Sequence, residues 1–238
     1  MVFCFVTVYA QDGIFGSFQL GQKIVDMKSL NDTLTSHGIE VTFPNSFWSI
    51  GGEGHVLVAK NFVLGGKAFV IGTEKVEPVP EPGHEARRVK ISAGLGEGYL
   101  GYAFIGGESG IRLIPEVGLG VSPFLFQTKE GLGNDSTFGS MIDNTEDNMV
   151  VLEKVGFMLD FCLAMDWYMK FIHLLSIIPG LETGPLLHAE AGYCMVPVKT
   201  RWFRDNNELK QNYYPDLKIN GFYFNVGIGL GITSSSMK

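Results

Sequence analysis

Two histidine–glutamate pairs are the residues of this sequence best suited to chemistry. Glu53 and His55 stand two positions apart in one segment, and His188 and Glu190 stand two positions apart in another. Residues at this spacing lie on the same face of a β-strand. Two imidazoles and two carboxylates could bind a divalent metal ion, or they could pair with lysine and arginine side chains in a network of buried ions. Because the network needs no added ligand, we predict ion pairing at these residues, with no metal ion and no cofactor.

Two other patterns could indicate cofactor binding or catalysis, and neither is specific. The segment 96–101, GEGYLG, matches the glycine pattern of dinucleotide-binding proteins, but that fingerprint requires a helix directly after it. A further strand and a tight turn are predicted there instead. Ser49 and Ser122 share the polar faces with the histidines, yet no spacing marks either of them as an activated nucleophile. We therefore predict no catalytic residues and expect a protein that is not an enzyme.

The segment Asn45–Gly72 shows which kind of element must position these side chains. It is predicted to form two strands joined by a turn at 59–61. In both strands one face is apolar and uncharged, whereas the other carries Glu53, His55 and Lys67 among glycines. A period of two with unlike faces is typical of a β-strand whose two sides meet different surroundings.

The same alternation recurs along the chain and predicts eight strands with one short helix. The strands are predicted over Gly13–Val25, the two halves of 45–72, Arg88–Phe104, Ile111–Gln127, Met149–Asp166, Leu186–Val198 and Ile219–Ile232. The helix is predicted over Asp26–His37, in the first connection. In the fourth strand Arg88 and Lys90 are assigned to the polar inner face, and a bulge is predicted near Glu97, where the alternation changes phase.

Strand lengths and connections predict a barrel that crosses a membrane. Most of the strands have about ten or more residues, which suits a tilted strand in a bilayer better than the ~5–6 residues typical of soluble sheets. Long polar connections, including 74–86, 128–148 and 200–218, alternate with short turns along most of the chain. Transmembrane barrels have their long loops at one end and their short turns at the other.

The composition of the polar face distinguishes a barrel whose interior holds charged side chains from one whose interior holds an apolar ligand. This face carries charges of both signs among many glycines, as expected for a narrow interior in which acids and bases pair. The predicted interior ion network contains Lys23, Glu53, His55, Lys67, Arg112, Glu116, Lys154, Asp160, His188 and Glu190. The other face carries almost no charge, as contact with lipid demands. We therefore predict an all-β fold, a closed antiparallel up-and-down transmembrane β-barrel of about eight strands. The alternative is a soluble lipocalin-like barrel around an apolar ligand.

The strand pattern, the alternation of loops and the aromatic final strand GFYFNVGIGLGI at 221–232 resemble the class of small bacterial outer-membrane β-barrel proteins. The resemblance implies a location in the outer membrane of a Gram-negative cell, contact with membrane lipids, and a structural or surface-interaction role. A narrow channel or transporter is the alternative function. The long loops could bind a surface partner. Members of this class usually end at an aromatic residue, whereas TSSSMK follows Ile232 in this chain.

Charge and the first residues set further limits. The 238 residues carry a net charge of −7 without a basic stripe, which argues against nucleic-acid binding. Residues 1–10 resemble the end of a secretory signal peptide, so a single β-barrel domain is expected over 11–238.

Two cysteines, Cys162 and Cys194, are predicted on the inward faces of neighbouring strands. If the turn between those strands centres near Ile178, they lie opposite each other and could form a disulfide in an oxidising compartment. The alternative is two reduced cysteines that act as small fillers of the lumen.

Overall fold

Eight antiparallel strands form a closed barrel in the computed structural model, which describes residues 13–36, 38–58, 61–76, 88–106, 110–129, 149–169, 181–197, 201–204, 207–208 and 220–234. The strands are β1 (Gly13–Ile24), β2 (Ser46–Val58), β3 (Phe62–Val76), β4 (Arg88–Tyr102), β5 (Ile111–Lys129), β6 (Met149–Tyr168), β7 (Leu181–Met195) and β8 (Gly221–Ser234). Each strand pairs with its neighbours in the chain, and β8 pairs with β1 to close the barrel. The predicted all-β, up-and-down barrel of eight strands is confirmed.

The connections give the barrel two unlike ends. The long-loop end carries the connections 25–45, 77–87, 130–148 and 196–220. The short-turn end carries the connections 59–61, 103–110 and 169–180, together with the start of β1 and the end of β8. This is the alternation predicted from the sequence.

Three short strands extend the sheet beyond the barrel strands. Phe104–Gly106 lengthens the hairpin between β4 and β5. At the long-loop end Trp202–Arg204 pairs with Asn207–Glu208 and also with Glu153 and Lys154 of β6. The sequence pattern predicts only a loop over 200–218, so this small hairpin is an addition to the prediction.

The outer face of the barrel is apolar over most of its height. Ile228, Leu100 and Phe222 are 65–68% exposed, whereas the side chains of Lys67 and Glu190 are 3% and 0% exposed. A lipocalin-like barrel would show the opposite arrangement, with its apolar side chains inside. The chain is therefore a transmembrane β-barrel, with lipid-facing apolar residues and a polar lumen. Among the described residues no helix has the length and apolar character needed to cross a membrane.

The helix α1 (Lys28–Ser36) lies in the first long connection, as predicted. The Asp26 carboxylate accepts a hydrogen bond of 3.0 Å from the backbone N–H of Lys28 and caps the first turn. Gly38 follows the helix with a φ of 73°, the left-handed conformation that commonly ends helices. Leu30 and Leu34 are fully buried and turn one face of the helix into the barrel.

Apolar side chains of residues 25–43 close the long-loop end of the barrel. This apolar plug consists of Val25, Met27, Leu30, Leu34, Ile39, Val41 and Phe43. It packs against inward-facing wall residues, namely Phe47, Ile71, Val89, Ile91, Ala93, Phe124, Phe126 and Leu152, and against Trp202. Asn31 ties the plug together, because its side-chain amide exchanges two hydrogen bonds of 2.9 Å with the backbone of Phe43.

The strands around the plug extend beyond the lipid-facing band, and their polarity reverses there. Arg88 and Lys90 are exposed on the outer face, while Val89 and Ile91 point inward to the plug. The assignment of Arg88 and Lys90 to the inner face is wrong. The bulge near Glu97 is also wrong, because the register between β3 and β4 is continuous over both strands. Odd positions of β4 face inward throughout. Their surroundings change along the strand, from the apolar plug at Val89 and Ile91 to the ion network at Glu97.

Candidate functional site in the barrel lumen

Side chains fill the described lumen in three layers along the barrel axis. The apolar plug occupies the long-loop end. A second hydrophobic cluster, which includes Phe15, Leu57, Tyr168 and Leu186, occupies the short-turn end. Between them lie charged residues from inward positions of the strands, since successive residues of a strand point alternately to lipid and to lumen. Apolar side chains therefore cover the ions at both ends.

Lys67 on β3 is the centre of one half of the ion network. Its ammonium group lies 2.9 Å from Glu190, 3.1 Å from Asp160, 3.3 Å from Glu97 and 3.5 Å from Glu116. The same nitrogen donates a hydrogen bond of 2.9 Å to the Tyr223 hydroxyl. One cation thus holds together four acids that come from β4, β5, β6 and β7.

Two histidines and two carboxylates form a closed ring in the other half. His55 lies 3.1 Å from Glu53 through Nδ1 and 3.1 Å from Asp166 through Nε2. His188 lies 2.8 Å from Asp166 through Nδ1 and 3.2 Å from Glu53 through Nε2. The Nδ1 contacts are hydrogen bonds, whereas the Nε2 atoms make no hydrogen bond to the described residues. Each imidazole is thereby oriented by a carboxylate at Nδ1.

Two acids of the observed network, Glu97 and Asp166, are missing from the set predicted from the sequence. Glu97 stands in the glycine-rich stretch at which a change of phase is predicted. Asp166 lies near the end of β6. Both occupy inward positions in an unbroken alternation, so the period of two is the signal that identifies them.

Uncharged side chains donate hydrogen bonds to these carboxylates and fix their positions. Glu53 accepts a hydrogen bond from the Tyr99 hydroxyl and another, at 2.8 Å, from the amide of Gln19. Glu190 accepts one of 2.7 Å from the amide of Asn225. Donors of this kind replace the water that a carboxylate loses on burial.

Glycines make room for the large side chains of the lumen. A Cβ atom added at Gly65 would lie 2.3 Å from the Tyr99 ring, and one added at Gly118 would lie 2.7 Å from the Glu97 carboxylate. Both distances are far below van der Waals contact. The glycine content of the inner faces is therefore a packing requirement.

Three of the cations predicted for the network lie at its margins, each over an aromatic ring. Arg112 lies 4.3 Å from the centre of the Phe15 ring, Lys154 lies 5.7 Å from that of Trp202, and Lys23 lies 5.5 Å from that of Tyr223. Cation–π contacts of this kind partly compensate the burial of a charge. The structure brings the other seven predicted residues together in two contacting groups, one around Lys67 and one in the histidine ring, and places these three over aromatic rings.

A small cavity separates the Lys67 half of the network from the plug. About 20 Å³ is available in it to the centres of water molecules, and its wall includes Lys23, Ser49, Glu97 and Asp160. Lys23 Nζ and Asp160 Oδ1 form no hydrogen bond with the described residues. The cavity has room for one or two water molecules and no more.

Cys162 and Cys194 carry free thiols. The register pairs Cys162 with Gly192 and Cys194 with Asp160. The two cysteines are therefore offset by two positions, and the opposite placement expected for a turn centred near Ile178 is not formed. Diagonal neighbours of this kind are about 7–8 Å apart, beyond the Cα separation of most disulfides. The disulfide alternative is not formed, and the Cys162 thiol instead donates a hydrogen bond of 3.3 Å to Glu190.

The two serines considered as nucleophiles have structural hydrogen bonds. Ser49 donates to the side-chain oxygen of Asn225 at 3.0 Å, and Ser122 donates to the carbonyl of Gly94 at 3.2 Å. Neither hydroxyl hydrogen-bonds a histidine in the part of the chain that the structure describes. A nucleophile beside its base, as acyl transfer requires, is not formed by these residues.

Fold and lumen together define a transmembrane β-barrel whose described lumen is filled by side chains. No family model and no curated protein matches the sequence. Among solved structures the chain is similar to Neisserial surface protein A, with a TM-score of 0.43, 9% identity, and coverage of 92% of this chain and 96% of that one. It is also similar to the outer membrane protease OmpT from Escherichia coli, with a TM-score of 0.40, 10% identity, and coverage of 93% and 96%. Both similarities concern the fold alone.

Proposed function

We propose that this protein is a bacterial outer-membrane barrel whose closed interior makes it a rigid anchor, with a structural or surface-interaction role. The observation that carries the proposal is the filled lumen. The apolar plug covers the ion network at the long-loop end, and a second apolar cluster covers it at the short-turn end. A barrel of eight strands is narrow enough for its own side chains to fill.

Membrane lipids are the first partner in this proposal. Exposed aromatic residues lie toward both ends of the apolar outer face, with Trp48 and Phe222 toward the long-loop end and Phe62 and Tyr102 toward the short-turn end. Aromatic girdles at the two interfaces are typical of membrane barrels. These residues support a fixed depth of the barrel in the bilayer.

A surface partner bound through the long loops is the second part of the proposal. Most of 128–148 and of 200–218 lies outside the described residues, as does the signal-like segment 1–10. The support for such a partner is the position of these connections, which all leave the same end of the barrel. Loops held on a rigid scaffold commonly carry recognition.

The narrow channel is the second candidate function, and the polar lumen is the observation that favours it. Conduction through the described lumen would require the apolar plug, the ion network and the second apolar cluster all to move aside. The cavity between the plug and the network offers about 20 Å³ to water centres, which is room for one or two water molecules.

Reconstitution tests these alternatives with the full-length protein. We expect it to require detergent, to migrate faster unboiled than boiled on a gel, and to show no discrete conductance in planar bilayers. Reproducible single-channel steps from protein with the unboiled gel mobility would contradict the closed anchor and support the channel. Partition into the aqueous phase after detergent phase separation would contradict a membrane location altogether.

A further inference from the structure

His188 is held in the way that proteins hold a metal-binding histidine. Asp166 accepts a hydrogen bond of 2.8 Å from Nδ1, which leaves the lone pair of the neutral imidazole on Nε2. The side chain is 1% exposed, and Nε2 makes no hydrogen bond to the described residues although Glu53 Oε2 lies 3.2 Å away. Buried ring nitrogens without a partner are uncommon and call for an explanation.

Two carboxylates face this nitrogen. One ligand atom from each of Glu53, His188 and Glu190 lies within 4.8 Å of the others, and all three residues are buried. The amide of Gln19 hydrogen-bonds Glu53 and the amide of Asn225 hydrogen-bonds Glu190. Outer hydrogen bonds of this kind orient carboxylates that ligate a metal.

The charge of the lumen is compatible with a bound divalent cation. Within the described residues the lumen contains six carboxylates, those of Glu53, Glu97, Glu116, Asp160, Asp166 and Glu190, against four lysine and arginine side chains. If both histidines are protonated, each pairs with two carboxylates and the charges of the lumen balance. If both are neutral, as a metal-binding imidazole must be, two negative charges are left in excess, and one divalent ion would compensate them.

We infer that the lumen binds one divalent transition-metal ion of the zinc class through Nε2 of His188 and the carboxylates of Glu53 and Glu190, with Asp166 as a positioning residue. An imidazole nitrogen with carboxylates suits Zn²⁺ or Co²⁺, whereas Mg²⁺ and Ca²⁺ prefer oxygen ligands alone. This site does not depend on the proposed anchor function. It departs from the prediction of no metal ion, and it uses three of the four residues that the sequence offered as a metal-binding set.

A second group of ligand atoms is less suited to a metal. Glu116, Cys162 and Glu190 also have ligand atoms within 4.8 Å of one another, but the Lys67 ammonium lies 2.9 Å from Glu190 and 3.5 Å from Glu116. A cation already occupies the space between these two carboxylates. When Glu190 binds a metal at the His188 site, Lys67 remains paired with its three other carboxylates.

Cobalt is the probe that tests the site in the full-length protein. The protein is folded into detergent with Co²⁺, unbound metal is removed by dialysis, and the bound metal is measured by elemental analysis. We expect one Co²⁺ per chain, visible d–d absorption bands, and no near-ultraviolet charge-transfer band of a thiolate ligand. His188→Gln should abolish stoichiometric binding. Asp166→Asn should weaken it about 10–100-fold, the usual effect of losing an orienting carboxylate.

A control variant separates this site from other binding. His84→Gln removes a histidine outside the described residues and should leave Co²⁺ binding unchanged. Gel migration of unboiled, metal-free samples tests whether each variant is folded. If His188→Gln does not fold, X-ray absorption of the wild-type Co²⁺ complex decides, with an imidazole ligand and no sulfur expected. Three results would overturn the site. They are a folded wild-type protein that retains no Co²⁺ after dialysis, a folded His188→Gln variant that binds as much Co²⁺ as the wild type, and a sulfur ligand in the X-ray absorption spectrum.

Discussion

Lys67 and Glu190 form an ion pair across the whole width of the lumen, with 2.9 Å between Nζ and Oε2. They lie on β3 and β7, which are four strands apart in either direction around the eight-stranded barrel. The contact therefore joins opposite walls of the barrel, and its partners are 123 residues apart in the sequence. Water does not screen the pair, because both side chains are buried.

Removal of the Lys67 charge should destabilise the barrel strongly. In Lys67→Met four carboxylates lose their shared cation, and breaking a buried ion pair in this way costs about 3–5 kcal/mol. Urea unfolding in lipid vesicles, followed by tryptophan fluorescence, measures the change in the free energy of unfolding. Lys90→Met is the matched control, because Lys90 is exposed on the outer face and its loss should change stability by about 0.5 kcal/mol or less.

A double variant tests whether the loss comes from the unpaired acids. Glu190→Gln removes one of the four negative charges, so Lys67→Met combined with Glu190→Gln should lose less stability than the sum of the single variants. Coupling between contacting residues is usually about 0.5–3 kcal/mol. Equal losses in Lys67→Met and Lys90→Met, or strict additivity of the pair, would show that the cross-lumen contact contributes little.

The faces of the strands could be predicted from the sequence because lipid and lumen impose opposite chemistry on neighbouring residues. Ile228 and Asn225 illustrate this, since the first is 68% exposed and the second is buried. The rule fails where the wall leaves the lipid. Around the plug the inner face of the wall is apolar and the outer face meets water. Polarity therefore assigns Arg88 to the inner face and Val89 to the outer face, which is wrong, whereas the period of two carried over from the rest of β4 assigns both correctly.

Contacts across the lumen could not be predicted, because alternation gives the face of a residue but not its height. A register that differs by two residues from the expected one separates Cys162 from Cys194 and leaves each of them opposite another residue. The apolar plug escaped prediction for a related reason. Ile39, Val41 and Phe43 alternate like a strand, yet they pack into the barrel mouth beside α1.

A charge placed on the lipid-facing surface should be costly only within the apolar band. Ile228 lies in the middle of β8, so Ile228→Arg should destabilise the barrel by about 2–4 kcal/mol, the cost of a cation near the bilayer midplane. Glu153→Arg is the control, because Glu153 is exposed on β6 beside the plug. Its change in unfolding free energy in the same vesicles should stay below about 1 kcal/mol. Similar costs at the two positions would contradict the boundary of the lipid-facing band.

The closure of the plug should depend on Asn31. In Asn31→Asp the side chain can still accept from the Phe43 N–H, but it presents a carboxylate oxygen to the Phe43 carbonyl where an amide donor stood. Loss of this buried bond should make local opening easier by about 1–3 kcal/mol. Hydrogen exchange of the Phe43 amide measures it, and Asp32→Asn, at an exposed position on the same helix, should leave the exchange rate unchanged. Unaltered protection of Phe43 in Asn31→Asp would contradict the role of this side chain.

Two glycines of the β3–β4 pair should respond in opposite ways to the same substitution. A Cβ at Gly65 would meet the Tyr99 ring at 2.3 Å and push its hydroxyl away from Glu53, whereas nothing lies within 4 Å of a Cβ at Gly96. Overpacking of this kind costs about 1–3 kcal/mol, so Gly65→Ala should lower the urea midpoint. Gly96→Ala should leave the urea midpoint unchanged or raise it, with a gain of up to about 1 kcal/mol in the free energy of unfolding, because alanine loses less chain entropy on folding. Equal effects on the free energy of unfolding would mean that these glycines are needed for their backbone conformation. A loss of stability confined to Gly65→Ala would mean that Gly65 makes room for Tyr99, which hydrogen-bonds Glu53.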